Sequence, residues 1–247
     1  MFRKPSPALP SLALFLCLAL ILCLVPAFSL GEPLVLGEDF SGLLEIPLRE
    51  GSDAPVYSYS FSYPHIEGTD PAAELINQFY QDTASIALDF DVPMMADFYS
   101  DSEAEESITV RVTYEVTCNN GDYFSILIRS ESTDFTTYAG NTFARRDTKA
   151  GSTISLPYLL GILSEDENDT WLQDRQTQKA DRCVRDLIWE TLEKDRDAYH
   201  FLPDATYDLF CDMFYPEEDF YLDASGNPVF FVRPAESDRH PCPFPAS

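Results

Sequence analysis

A chain of 247 residues with 42 acidic and 16 basic side chains carries a formal net charge of −26 at pH 7. Such a surface repels nucleic acid and anionic lipid by its long-range field. The same field favours cationic partners, polyamines or metal ions, and it also serves plain solubility outside the cell.

The N-terminus sets the expected compartment. Arg3 and Lys4 are the only charges before Glu32, and an apolar run over residues 12–25 follows them. Ala27 and Ser29 supply the small residues that precede a signal-peptide cut, so residues 1–29 read as a leader cleaved near Ser29. The rival reading is an uncleaved anchor, because residues 11–30 approach the ~20 apolar residues that span a bilayer. The basic end then stays cytoplasmic. Lipid attachment at Cys23 is disfavoured, since Leu22 stands where a small residue is wanted. Either way the remainder is expected to be secreted or extracytoplasmic, with the membrane touched only through this segment.

Cys17 and Cys23 drop out with the leader. Cys118, Cys183, Cys211 and Cys242 remain, an even number that permits two disulfides in an exported protein without saying which. Buried free thiols are the equal alternative, because the chain is 45% apolar and has material for a core without staples. No CxxC pair occurs, which argues against a redox motif or a zinc ribbon.

Residues 30–54 mix Gly, Pro and acidic residues with short apolar pieces such as 43–48, and read as a linker with one edge strand. In Val56–Tyr63, Tyr57, Tyr59, Phe61 and Tyr63 alternate with serines, the period of a half-buried strand, and Pro64 stops it. Asp70-Pro71 opens a helix, Asp as cap and Pro at the first helical position. Its apolar stripe is Ala72, Ile76, Phe79, Tyr80, Ala87 and Phe90. Pro93 is expected to end or kink it, leaving residues 94–106 as an irregular acidic connection.

Residues 108–118 alternate Ile108, Val110, Val112, Tyr114, Val116 and Cys118 with polar residues, the clearest strand in the chain. Asn119-Asn120-Gly121-Asp122 is turn chemistry, and residues 123–130 return. Residues 135–139 and 142–146 continue the series with Gly140 at a bend. The result is an antiparallel meander whose apolar face needs the helix as cover.

Past Gly151, residues 154–157 lead into a short apolar turn reaching Leu163. A charged loop, 164–169, precedes a second helix with a stripe of Trp171, Leu172, Ala180, Cys183, Val184, Leu187, Ile188, Thr191 and Leu192. Asp204 is expected to cap a short helix running to Phe214. Residues 220–222 and 229–232 form a hairpin around Ala224-Ser225-Gly226-Asn227, and the Pro-rich tail 234–247 reads as irregular.

Signals of chemistry are sparse. The three histidines, His65, His200 and His240, are isolated, and no HExxH, GxSxG, P-loop or GxGxxG occurs. Asp89/Asp91, Glu105/Glu106 and Glu217-Glu218-Asp219 are carboxylate pairs of the kind acid–base catalysis uses, but a chain this acidic produces them by composition alone. Glu165-Asp166-Glu167-Asn168-Asp169 clusters oxygen ligands yet lacks the spacing and glycine of a calcium loop. The aromatic stripe at 57–63 suits sugar stacking as well as a core face, the core face being the commoner use. No catalytic, cofactor-binding or metal-binding residue and no cofactor is expected.

The order of these pieces carries a resemblance. Tyr63-Pro64-His65-Ile66 is followed by Leu75-Ile76-Asn77, then the long strand, Ser125-Ile126-Leu127 and Gly140. Residues 148–151, Ile154-Ser155-Leu156 and the hairpin Phe220-Tyr221-Leu222, Gly226, Val229-Phe230-Phe231 close it. Together they resemble the extracytoplasmic domain of RsiV-type anti-sigma factors, paired domains of unknown function also found with peptidoglycan deacetylases and in stand-alone exported proteins. The resemblance covers roughly residues 55–233 and implies an α+β fold and recognition of lysozyme, a cationic protein. With ten residues before the apolar run, no cytoplasmic segment to hold a sigma factor is expected, nor a deacetylase domain, and the tail departs from the family's closing segment.

The expected architecture is α+β, an antiparallel sheet with helices mainly on one face, in sub-lobes of about 55–150 and 151–233. The expected function is a non-catalytic envelope binding or sensing module for a lysozyme-like cationic protein or peptidoglycan, with no nucleic-acid partner. The alternative is a cell-wall hydrolase or deacetylase with an unrecognised carboxylate site.

Overall fold

The computed structural model describes residues 32–51, 53–102, 104–133, 135–162, 170–196, 205–232 and 242–245. Residues 1–29, expected to be a leader, the acidic loop 165–169, Leu163, Asp204, His200 and His240 lie outside the described residues. So do the side chains of Trp171, Leu172 and Cys242.

The fold is α+β. Strand alternation builds a five-stranded sheet in the order β2 (Phe40–Pro47), β3 (Val56–Tyr63), β5 (Ile108–Asn119), β6 (Tyr123–Ser132) and β7 (Thr136–Ala144). A second sheet joins β8 (Phe220–Leu222), β9 (Pro228–Val232) and β10 (Cys242–Pro245). Two short strands, β1 (Val35–Leu36) and β4 (Ile66–Glu67), pair with each other. The edge strand expected within residues 30–54 is β2, which lies at one edge of the sheet and pairs with β3 along its whole length, Phe40 opposite Tyr63 and Pro47 opposite Val56. The meander β5–β6–β7 is antiparallel, but β3 and β5 run parallel. A parallel neighbour needs a long crossover, and the helical connection 64–107 supplies it.

The rings of Tyr57, Tyr59, Phe61 and Tyr63 all point into the core. They follow one another at 5.5–6.0 Å from Tyr59 to Tyr63, and Tyr63 stacks on Tyr80 of the covering helix at 5.2 Å. A sugar cannot reach this face. Burial pushes the Tyr57, Tyr59 and Tyr63 hydroxyls above the ordinary phenol range.

Helix α1 (Pro71–Ile86) is capped by Asp70, whose Oδ1 accepts the Ala72 N–H at 2.8 Å. Pro93 does not end it. A π turn, Ala87–Asp91, carries the chain directly into α2 (Val92–Asp101), with the Val92 N–H bonded to the Ala87 carbonyl. Proline lacks an N–H and its ring crowds the carbonyl four residues back, and a widened turn just before it relieves both. The extra residue shifts the buried stripe from Ala84 and Ala87 to Val92 and Ala96, leaving Phe90 out in solvent. Two asparagines splice in the N-terminal strands. Asn77 exchanges two hydrogen bonds with the Ile66 backbone, and Asn119 does the same with Leu34.

At the far end of β5, a bulge between Val116 and Cys118 breaks the alternation. Cys118 therefore leaves the face of Val116 and enters a second core with Leu156, Phe210, Phe214, Phe220, Leu222 and Phe230. That core sits on the sheet face opposite α1, against the β6–β7 end. It is covered by α3 (Leu156–Leu159), α4 (Thr170–Lys194) and α5 (Tyr207–Met213). Among the described side chains of α4, Ile188 and Leu192 are the buried ones, with Val184 and Trp189 packed beside them. Leu187 and Cys183 are exposed, so the stripe is narrower than expected. Thr206, not Asp204, caps α5 by accepting the Leu209 N–H at 3.3 Å.

The tail is not wholly irregular, since β10 pairs with β9. The Phe231 N–H is spent on the Asp219 carbonyl of the β8 side. Phe230 and Val232 thus aim their backbone groups at Phe244 and Cys242, and the missing N–H groups of Pro243 and Pro245 fall on the outward positions of an edge strand.

Gly140 marks no bend, for β7 is continuous through it. It marks the contact between β7 and the start of β8. A Cβ there would lie 1.8 Å from the Phe220 carbonyl oxygen. Beside it, Ser125 and Thr142 are buried with their hydroxyls 2.9 Å apart, and Ser125 Oγ accepts the Leu222 N–H at 3.0 Å.

Candidate functional site: an acidic cleft at the sheet edge

Where the segment leading into β8 meets the edge strand β7, a cleft of about 500 Å³ opens. Its floor is Gly140, Asn141 and Thr142, with Ser155 on one wall and Glu217 and Glu218 on the other. Strand alternation puts Asn141 on the α1 side, its amide 3.4 Å from the Tyr80 hydroxyl, and Thr142 on the other. The cleft thus wraps around the strand edge. Asp219, third of the acidic triplet, is buried and structural. Its Oδ2 accepts the Tyr215 N–H at 2.8 Å and fixes the turn that presents its two neighbours.

Glu217 also meets Asp181 of α4, which lines a neighbouring hollow of about 350 Å³ with Arg182, Arg185, Tyr207 and Cys211. Partial desolvation, then the Asp181 charge, pushes the Glu217 carboxyl above its ordinary range. Burial raises Asp181 as well, against the pull of Arg185. Arg185 Nε is buried without a hydrogen-bond partner among the described residues. The two carboxyls touch, so they favour sharing a proton rather than both ionising. Tyr207 donates to Asp186 Oδ1 at 2.6 Å, which holds its hydroxyl well above the usual range.

This pair makes a pH prediction. Groups raised on folding hold protons that the unfolded chain has already lost, so the native state binds more protons between the ordinary and the raised values. Stability from the pair is full below about pH 4 and falls as pH rises through the raised values. Glu217→Gln should therefore raise the melting temperature at neutral pH and flatten the decline above the carboxylate range. Thermal unfolding of both proteins across that range checks it, and an unchanged slope would show the carboxyls to be independent.

The other sequence candidates do not converge. Asp89 and Asp91 lie exposed on the helical run, and Glu105 and Glu106 are exposed before β5. His65 is half-buried in a separate polar cleft of about 630 Å³ with Glu67, Asp70 and Glu74. Cys118, Cys183 and Cys211 are free thiols, and Cys118, raised by burial, accepts the Asn120 amide at 3.2 Å. No group of three or more metal-ligating side chains occurs among the described residues, and no helix among them is long and apolar enough to cross a membrane. Asp181 escaped the sequence reading because it is distant in the chain and its helix position looks like ordinary solvated surface.

No protein-family model matches the chain, and no curated protein matches it. Solved structures of DUF3298 family proteins are similar to it. One from Bacteroides fragilis has 13% identity and a TM-score of 0.42, over 87% of this chain and 92% of that one. Another, from Pseudomonas aeruginosa, has 14% identity and a TM-score of 0.43, over 87% and 91%.

Proposed function

We propose that this chain is a non-catalytic, exported envelope module that recognises a cationic partner, a lysozyme-like protein or a wall polymer, in the manner of RsiV-type extracytoplasmic domains. The observation that carries the reading is the cleft at β7, a groove of mixed polar and apolar lining that includes the Glu217 and Glu218 side chains, in a molecule with net charge −26. Carboxylates held on a fixed turn suit a lysine or arginine side chain, and the overall field steers a basic protein toward them. The test is a pull-down of residues 30–247 on immobilised lysozyme and on purified peptidoglycan. Capture by one of them at low salt, lost at moderate salt and weakened by Glu217→Gln/Glu218→Gln, is the expected result. No capture of either at low salt removes the proposal.

One observation bears on the alternative of a wall hydrolase. Asp181 and Glu217 are the two carboxyls that burial and proximity tune, as acid–base chemistry wants. They are in hydrogen-bonding contact, however, whereas glycosidase carboxyls stand about 5–9.5 Å apart with the scissile bond between them. Release of soluble sugar from peptidoglycan would favour the hydrolase over the recognition module.

A further inference from the structure

The π turn does more than relieve Pro93. It sends one apolar row inward and brings a second one out. Ile86, Phe90, Met94 and Phe98 recur every fourth residue along the continuous helical run, and all four are between 55% and 69% exposed. In a regular α-helix such a row drifts by about 40° at each step. The wider turn at 87–91 takes up part of that drift, so the row stays a stripe. From Ile86 to Phe98 it extends about 18 Å, the length of a short helix. Single exposed apolar residues are normal, but a contiguous large row marks a contact surface.

Charge decides what covers it. Asp82, Asp89, Asp91, Asp97 and Asp101 are all exposed around the stripe. From residue 66 to residue 110 the sequence contains no Lys, Arg or His. A second copy of this chain would bring the same carboxylates to face these, and an anionic lipid surface is repelled likewise. A basic amphipathic helix meets both demands, with its apolar side on the stripe and its lysines or arginines over the flanking aspartates.

We infer that the outer face of this helical run, Ile86, Phe90, Met94 and Phe98 with the flanking aspartates, is a docking surface for a basic amphipathic helix of a partner protein. The inference deepens the proposed recognition of a cationic partner and rests on it.

The experiment uses a labelled Lys/Leu peptide of about fourteen residues, long enough to span the stripe as a helix, and a scrambled isomer of the same composition. Binding to the full chain and to residues 30–247 is read by fluorescence anisotropy at low salt, with lysozyme capture in parallel. The helical peptide should bind at least about tenfold more tightly than the scrambled one, as expected where packing adds to charge. Phe90→Ser/Phe98→Ser should abolish that advantage while circular dichroism and melting stay unchanged, since both rings are exposed. Asp89→Asn/Asp97→Asn should weaken binding and reduce its salt dependence.

Equal binding of the two peptides, or an unaffected serine variant, overturns the inference. A self-association seen by sedimentation that the serine variant loses overturns it in favour of a second copy. Binding that appears only when residues 1–29 are removed overturns it in favour of the leader as occupant. Lysozyme captured equally by the parent and the serine variant removes this surface but keeps the recognition reading. Failure of both peptides, lysozyme and peptidoglycan at low salt removes both.

Discussion

Gly140→Val is expected to cost about 3 kcal/mol or more of folding stability, the range of severe overpacking. The physical cause is a backbone contact rather than a side-chain one. An added Cβ would meet the Phe220 carbonyl oxygen at 1.8 Å and its carbon at 2.7 Å. A side chain in that position could swing aside, but the start of β8 can yield only by moving off the sheet. That movement would break the 3.0 Å bond from the Leu222 N–H to Ser125 Oγ and expose the buried Ser125–Thr142 pair. Urea unfolding of Gly140→Val beside Thr137→Val, an exposed position on the same strand, separates the contact from any general effect on β7. The control should fall within about 0.5 kcal/mol of the parent. Equal stability of the two variants would mean that β8 is not packed on β7 through Gly140.

Arg145→Met should be the second large loss, about 2 kcal/mol, with the partial exposure of its partner Asp70 limiting the figure. The Arg145 side chain is 8% exposed and reaches three separate parts of the chain. Its Nη1 donates to the Glu32 carbonyl at 2.8 Å and to the Asn120 carbonyl, and its Nη2 pairs with Asp70 Oδ2 at 3.0 Å. One guanidinium thus ties the N-terminal segment, the β5–β6 turn and the cap of α1. Removing it leaves two carbonyls short of a donor and the capping carboxylate without its cation. Arg145→Lys should recover little, because a single ammonium on a flexible stem cannot serve these acceptors with the planar fork they are arranged around. Denaturant titration of both variants is the check, and a lysine variant as stable as the parent would show that charge alone is at work.

Much of the fold was legible in local pattern. Val56–Tyr63 has the expected bounds, since a period of two and a following proline are local signals. Asp70-Pro71 likewise opens α1, and Ala224–Asn227 turns the last hairpin, with the Asp223 carboxylate accepting the Ser225 and Asn227 N–H groups. The α+β class followed from these elements. The failures share a different cause. Phe90 fits the inward stripe until an unforeseen π turn changes the phase, and Pro93, read as a stop or a kink, turns out to be accommodated by that turn. Gly140 reads as a bend because its real reason, the Phe220 carbonyl, is far away in the chain. The two prolines of β10 argue against a strand until their alternate spacing is set against a partner on one side only.

The candidate site was less legible still. Glu217-Glu218-Asp219 was visible as a carboxylate cluster, but nothing local distinguishes the buried, structural Asp219 from its exposed neighbours, and nothing joins Glu217 to Asp181. The outward row at Ile86, Phe90, Met94 and Phe98 was hidden for the same reason, because exposure is a property of what does not pack on a residue.

By itself the sequence determined the charge of the molecule, the strands and helices with strong periodicity, and the apolar face of β3 and of the first part of α1. These are functions of residue type and spacing within one element. Only the tertiary structure decided that β3 runs parallel to β5, that two cores lie on opposite faces of one sheet, that an acidic cleft opens at β7, and that one apolar row is left uncovered. Each depends on contacts between segments distant in the chain, where the free energy of packing overrides local preference.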